Sequence, residues 1–222
     1  MSLVVLKCGG AVAHEAIAAV HGLRREGHGV CVVHGGGPQI SAELARRGLP
    51  VGFVGGRRVT SAAALAVVRE VLAVVNAELC AALGPPAVGL MGDEIGLMAR
   101  RIPALGYVGD PLPARPPAVV DALAAGQVPV VAPLAAGPLN VNADEAAAAM
   151  AAGLGAARIL FATDVPGVLR DGAVLSEIGA DEADELLASG AFEGGIVPKL
   201  HAAVLAARLG VHAEIGETAV LA

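Results

Sequence analysis

The stretch Gly29–Pro38, GVCVVHGGGP, constrains the fold of this chain more than any other. Its apolar run Val30–Val33 has the composition of a buried strand, and three glycines end it just before a helical pattern that opens on Pro38. Gly35, Gly36 and Gly37 carry no Cβ, so their N–H groups can turn toward an anion. The helix start adds unpaired donors and the positive end of its dipole. A strand, a bare backbone and a helix N-terminus meet here, either as a plain tight turn or as a cradle for a phosphate or oxyanion.

The same layout opens the chain. Leu3–Leu6 is an apolar strand ending at Lys7, Gly9 and Gly10 open the turn, and a helical pattern runs from about residue 14 to 26 before Gly27. The helix predicted from Pro38 to Arg47 carries Ile40 and Leu44 on one face and Gly48 beyond its end. Two such βα units place both glycine turns on one rim of a parallel sheet, where open α/β sheets bind ligands. Lys7 and the Gly35–Gly37 turn then share a site.

The 15 basic side chains include only two lysines, Lys7 and Lys199, each beside a glycine pair. The rest are Arg, so each Lys is read either as a leftover surface charge or as a compact ammonium able to follow a phosphoryl group, where a planar guanidinium is bulkier and fixed in its donor directions. A net charge of −6, no basic run, one Tyr and three Phe argue against nucleic acid as a partner. Gly and Pro break every apolar run before about 18 residues, so no membrane span is expected. Cys8, Cys31 and Cys80 lack metal-ligand spacing and MSLVVLK lacks a signal-peptide layout, which fits a reducing cytoplasm.

Further along, Pro50–Thr60 reads as a hairpin or flap carrying Arg57 and Arg58, each a carboxylate clamp or a solvated surface charge. Residues 61–83 form a long apolar helix, either core or a surface for self-association, stopped by Gly84-Pro85-Pro86. Strands are expected at 87–90, 128–131, 159–162, 211–215 and 218–221, and helices at 119–125, 181–188 and 197–208. A hairpin-like segment starts near 97 and continues through Tyr107 and Val108, 111–117 is a loop, and a second hairpin surrounds Asp171-Gly172. Asn140, Asn142 and Asp144 precede an alanine-rich helix to about Leu154; they are turn and capping residues or ligands, and Asp164 near Pro166-Gly167 has the same ambiguity. No linker divides the chain, so residues 1–222 are expected to form one α/β unit.

Taken in order, Lys7-Cys-Gly9-Gly10, His34-Gly-Gly-Gly-Pro38, Gly56-Arg-Arg58-Val-Thr60, Gly106-Tyr-Val-Gly109, Asn140-Val-Asn142-Ala-Asp144, Thr163-Asp-Val-Pro-Gly167 and Gly194-Gly-Ile-Val-Pro-Lys199 resemble the motifs of the amino acid kinase family. The Arg-Val-Thr and Asn-Val-Asn-Ala-Asp segments point to its acetylglutamate branch. The resemblance implies an open αβα sandwich with a central mainly parallel sheet, in which residues 1–137 form the amino-acid-substrate lobe and 138–222 the nucleotide lobe. It implies ATP with Mg2+, N-acetyl-L-glutamate as acceptor, a product in arginine biosynthesis, and a homodimer.

By the same resemblance Lys7 and Lys199 flank the transferring phosphoryl group and Asp144 holds both ammoniums. Gly9, Gly10, Gly36 and Gly37 offer N–H donors to phosphate. Arg58, Asn140 and Asn142 hold the substrate, while Thr163, Asp164, Gly167 and Gly195 line the nucleotide site. No general base is needed, because a γ-carboxylate is already ionised, so His34 is expected to support the turn. The family normally inserts a strand, a helix and a loop between Val211 and its closing strand, so a shortened C-terminus lacking an edge strand is expected. The chain starts directly at its first strand, whereas arginine-inhibited relatives carry an extra N-terminal helix, so insensitivity to arginine is expected. The rival readings are a kinase of another acyl or carrier-linked amino acid carboxylate and a non-catalytic ligand-binding relative.

Overall fold

The computed structural model of this chain describes residues 2–9, 13–163 and 165–222. The first half contains β1 (Leu3–Cys8), α1 (Ala13–Arg25), β2 (Gly29–His34), α2 (Gly37–Arg46), the short strands β3 (Phe53–Val54) and β4 (Arg57–Arg58), α3 (Ala62–Leu83) and β5 (Ala87–Met91). The middle holds β6 (Ala99–Arg101), β7 (Val108–Pro111), α4 (Pro117–Ala124), β8 (Val128–Ala132), β9 (Leu134–Ala135), β10 (Leu139–Val141) and α5 (Ala143–Leu154). The rest is β11 (Arg158–Phe161), β12 (Leu169–Arg170), β13 (Ala173–Val174), β14 (Glu177–Gly179), α6 (Ala180–Ala188), α7 (Ile196–Arg208), β15 (His212–Ile215) and β16 (Thr218–Leu221).

Eight strands form the central sheet in the order β14-β16-β15-β11-β1-β2-β8-β5, parallel except between β15 and β16. The mixed α/β sandwich with a mainly parallel sheet is therefore present. Side chains of successive strand residues alternate between the sheet faces. Val5, Cys31, Val33, Val131, Ile159 and Phe161 pack on one face with α4–α7, while Val4, Leu6, Val30, Val32 and Val130 pack on the other with α1 and α3. The same alternation sends Lys7 toward α5 and His34 toward α3. The expected strand at 218–221 is present as β16 beside β15, and β14 follows it at the edge of the sheet.

The helix ends follow local chemistry. Ser61 Oγ accepts the Ala64 N–H at 3.1 Å to start α3, which Gly84 closes at φ 67°. Asn142 Oδ1 accepts the Asp144 and Glu145 N–H groups at 2.8 and 3.2 Å to start α5. Residues 146–151 of α5 are all buried, five of them alanine, and small residues on both α5 and α7 let the two helices lie close on the sheet. A Cβ at Gly153 would run into the backbone of Ala114.

Two details depart from expectation. Asn140 sits inside β10, buried between β7 and β9 of a separate four-stranded sheet, and not in a turn. Three residues are too few for a period to show, and the strand exists because neighbours distant in sequence pair with it. The expected loop 111–117 is also shorter, since Pro111 ends β7 opposite Ala99 and Pro117 opens α4.

Candidate active site

Lys7 lies at the C-terminal end of β1, and its ammonium stands 2.8 Å from Asp144 Oδ1 at the first turn of α5, both side chains less than a tenth exposed. The contact is an ion pair outside hydrogen-bonding geometry. Breaking such a buried pair by removing one partner leaves an uncompensated charge and costs about 3–5 kcal/mol.

The glycine turn divides its labour. Gly35 N–H donates to Cys8 O at 2.8 Å and so extends the β1–β2 pairing, which leaves Gly36 and Gly37, not all three glycines, to face a ligand. Gly36 is the N-cap of α2 and, among the described residues, no side chain caps it. A Cβ at Gly36 would stand 3.2 Å from Leu72 Cδ2, so any larger residue would press on the core. His34, beneath this turn, is 1% exposed and burial lowers its pKa below the ordinary 6.5, partly offset by its bond to the Gly35 carbonyl.

The flap β3–β4 turns through Gly55 and Gly56 at φ 54° and 75°, and places Arg58 over the Phe53 ring at 4.6 Å. Arg58 is 6% exposed; Nη2 donates to Gly37 O and Ser41 Oγ, each at 2.9 Å. Its Nη1 is buried and has no hydrogen-bond partner among the described residues. Arg57 also borders the cavity but is already paired: Nε donates to Glu145 Oε1 at 2.9 Å and Nη2 to Asp110 Oδ1 at 2.6 Å, so it ties the flap to α5 and β7. Burial raises the Glu145 pKa despite these bonds from Arg57. Asn142 Nδ2 adds a bond to Gly56 O at 3.0 Å, and Gly56 packs on Pro198. Asn140 Nδ2 donates to Thr60 Oγ1 at 3.1 Å, and Thr60 Oγ1 donates to Arg58 O at 2.7 Å, so β10 supports the strand that carries Arg58.

Lys199 and Gly195 lie at the start of α7, where Lys199 Nζ donates to Gly195 O at 3.3 Å. Thr163 stands on the same sheet rim, two residues beyond Phe161, the partner of Lys7 across β1–β11. Thr163 and Gly167 do not line the cavity that the other residues form. Gly167 has a packing reason, because a Cβ there would stand 2.6 Å from Thr218 Oγ1. Gly10 and Asp164 lie outside the described residues.

Lys7, Gly9, Gly36, Gly37, Arg58, Asn140, Asn142, Asp144, Gly195 and Lys199 thus line one cavity of about 430 Å³, a volume usual for small-molecule sites. The N-termini of α2, α5 and α7 all open onto it, so three positive dipole ends join the ammoniums of Lys7 and Lys199 and the Arg58 guanidinium. Asp144 is the one carboxylate among the described lining residues and is engaged by Lys7. A chain of net charge −6 therefore presents a cationic cleft suited to two anions, and among the described lining residues there is no imidazole and no spare carboxylate placed to take a proton. Such a cleft can neutralise charge on a phosphoryl group and orient an acceptor that is already ionised.

The sequence alone assigned no role to Asn76, Asp110 and Glu145. Asn76 left a signal, a lone amide inside a long apolar helix; the other two are ordinary acids whose partner becomes visible only in three dimensions.

A profile of the Amino acid kinase family matches residues 2–216. The chain is 42% identical over 218 residues to the acetylglutamate kinase of Geobacillus stearothermophilus, covering 91% of this chain and 84% of that protein. It is 40% identical over 227 residues to the acetylglutamate kinase of Koribacter versatilis, covering 94% and 87%. Among solved structures, a Streptococcus mutans protein superposes with TM-score 0.87 at 27% identity, covering 99% of this chain and 98% of that one. The carbamate kinase of Giardia lamblia, 17% identical over 99% of this chain and 98% of its own, shares the fold with TM-score 0.71.

Proposed function

The chain belongs to the amino acid kinase family, and from that premise we propose that it transfers the terminal phosphoryl group of ATP to the γ-carboxylate of N-acetyl-L-glutamate, giving the acyl phosphate and ADP in arginine biosynthesis. The observation that carries this reading is the buried, unpartnered Arg58 Nη1 in the cavity that also holds Lys7 and Lys199. Nη1 lacks an acceptor among the described residues, and a second carboxylate on the acceptor substrate, here the α-carboxylate, would supply one.

The γ-carboxylate oxygen attacks the terminal phosphorus in line. A new P–O bond forms, the bond to the bridging oxygen breaks, and ADP leaves with that electron pair, so no proton moves. Lys7 and Lys199 approach the equatorial oxygens from the two halves of the chain, and Asp144 holds the Lys7 ammonium in place. Gly36 and Gly37 donate N–H groups from the α2 N-terminus, while Gly9 and Gly10 serve the same phosphate from the β1 turn. Arg58 and Asn140 orient the acceptor; the Asn142 side chain is engaged as a helix cap and shapes the site through Gly56. Thr163, Asp164, Gly167 and Gly195 are assigned to the nucleotide side.

The uncapped starts of α2 and α7 fit a triphosphate. The Mg2+ that accompanies ATP would be held mainly by the nucleotide's own oxygens, where it would offset phosphate charge. No helix among the described residues is long and apolar enough to cross a membrane. A homodimer is proposed on the outer face of α3, where Val74 is 56% exposed amid exposed alanines.

A panel of N-acyl and free amino acids with coupled ADP detection tests the assignment. N-acetyl-L-glutamate should give the highest kcat/KM, and Arg58→Lys should raise its KM about tenfold or more, since one bidentate contact is lost. Faster turnover of another carboxylate, or an unchanged KM in Arg58→Lys, would refute it.

A further inference from the structure

The strand alternation that points Lys7 at α5 sends His34 to the opposite face, under the glycine turn and against Asn76 of α3. Asn76 is 6% exposed, and its Nδ2 lies 2.9 Å from Val130 O and 3.0 Å from His34 Nε2. A carbonyl oxygen only accepts, so the atom facing Val130 O is the amide nitrogen, and its second hydrogen goes to His34 Nε2. Nε2 is then the acceptor of a neutral ring and Nδ1 carries the proton. Nδ1 lies 2.9 Å from Gly35 O, another group that only accepts, so the tautomer set from one side meets the need on the other.

The Gly35 carbonyl and the Gly36 N–H belong to one planar trans peptide unit and point in opposite directions. With the carbonyl drawn to the imidazole, the N–H faces away from it, on the side where Gly36 lines the cavity. We propose that His34 and Asn76 are positioning residues for phosphoryl transfer: through the Gly35 carbonyl they hold the Gly36 N–H aimed at the group in transfer. This inference rests on the kinase reading above. Other parts of the structure make room for the arrangement. A Cβ at Gly89 of β5 would run into Asn76 Oδ1, and Cys80 Sγ stands 3.8 Å from that same oxygen. An amide left unpaired there would carry its full desolvation penalty, so its bonds define where it sits.

Nitrogen-15 NMR of the histidine rings in the whole chain, with steady-state kinetics on ATP and N-acetyl-L-glutamate, tests the proposal. The wild-type His34 ring should be neutral and protonated at Nδ1. His34→Leu removes the donor to Gly35 O and should lower kcat about 10- to 100-fold with KM for the acyl amino acid within about twofold. His34→Asn places an amide N–H near the Nδ1 position and should restore most of kcat. A wild-type ring protonated at Nε2, or equal kcat in the two variants, would overturn the proposal. The tautomer is read on the wild type, so a variant that fails to fold leaves the test intact. If the wild type makes no ADP from this acceptor, the kinase reading fails, and the tautomer alone decides whether His34 and Asn76 act as described.

Discussion

At the scale of single residues, the site depends on charges that are buried and paired, so activity and stability can be separated. Lys7→Met should lower kcat about 10²- to 10³-fold, the range for losing one preorganised electrostatic contact. It also strands the Asp144 carboxylate, which is 8% exposed, and should cost about 3–5 kcal/mol of stability. Adding Asp144→Asn should recover the melting temperature without the activity; recovery of both would remove Lys7 from the chemistry. His34 gives a pH signature. Its folded pKa is lowered by burial from an ordinary 6.5, so the unfolded chain takes up the proton first. Its share of stability is complete above that value and is lost as pH falls toward the depressed folded pKa, at most about 1.4 kcal/mol per pH unit. Urea unfolding at pH 8 and pH 5 should show a smaller acid loss in His34→Asn than in the wild type, and an equal loss would contradict the assignment. Residues of this kind were partly legible in the sequence. Lys7 and Lys199 stood out because Arg supplies every other basic charge, whereas Asn76 was one amide in a long helix whose partner lies 42 residues away.

At the scale of elements, the flap is the part that sequence described only in outline. Its Gly55-Gly56 turn and flanking residues predict a hairpin, and both arginines are candidates for a carboxylate. The structure separates them, because successive strand residues face opposite ways: Arg58 is buried against Gly37 and Ser41, and Arg57 bridges Glu145 and Asp110. That bridge fastens the flap to α5, the helix that carries Asp144. Arg57→Ala should therefore loosen the flap and raise the KM of the acyl substrate about fivefold, the equivalent of an ion pair worth about 1 kcal/mol, with a smaller change in kcat. Initial-rate kinetics over a range of acceptor concentration would show it, and a fall in kcat at constant KM would place Arg57 elsewhere in the cycle. The short strands around Asn140 stayed hidden for a related reason, since they exist through pairing with β7 and β9 and carry no period of their own.

At the scale of the whole molecule, the legible features were those that recur. Apolar runs marked β1, β2 and β8, glycine turns ended the first two, and caps and prolines placed helices between strands, so the parallel sheet and its ligand rim followed from the chain alone. The edge strand β14 did not, because it is three residues long and its place depends on pairing with β16. Neither did the closeness of α5 and α7, which comes from alanine contacts that look like mere composition in a sequence. The sheet brings Lys7 to the rim from the first strand and α7 brings Lys199 from near the C-terminal end, so the account stands on these two lysines acting on one phosphoryl group. Hydroxylamine trapping of the acyl phosphate formed from ATP and N-acetyl-L-glutamate tests that most directly. The account predicts an ATP-dependent γ-hydroxamate from the wild type, reduced about 10²-fold or more in both Lys7→Ala and Lys199→Ala. No hydroxamate from the wild type, or wild-type yield rates from either variant, would contradict it.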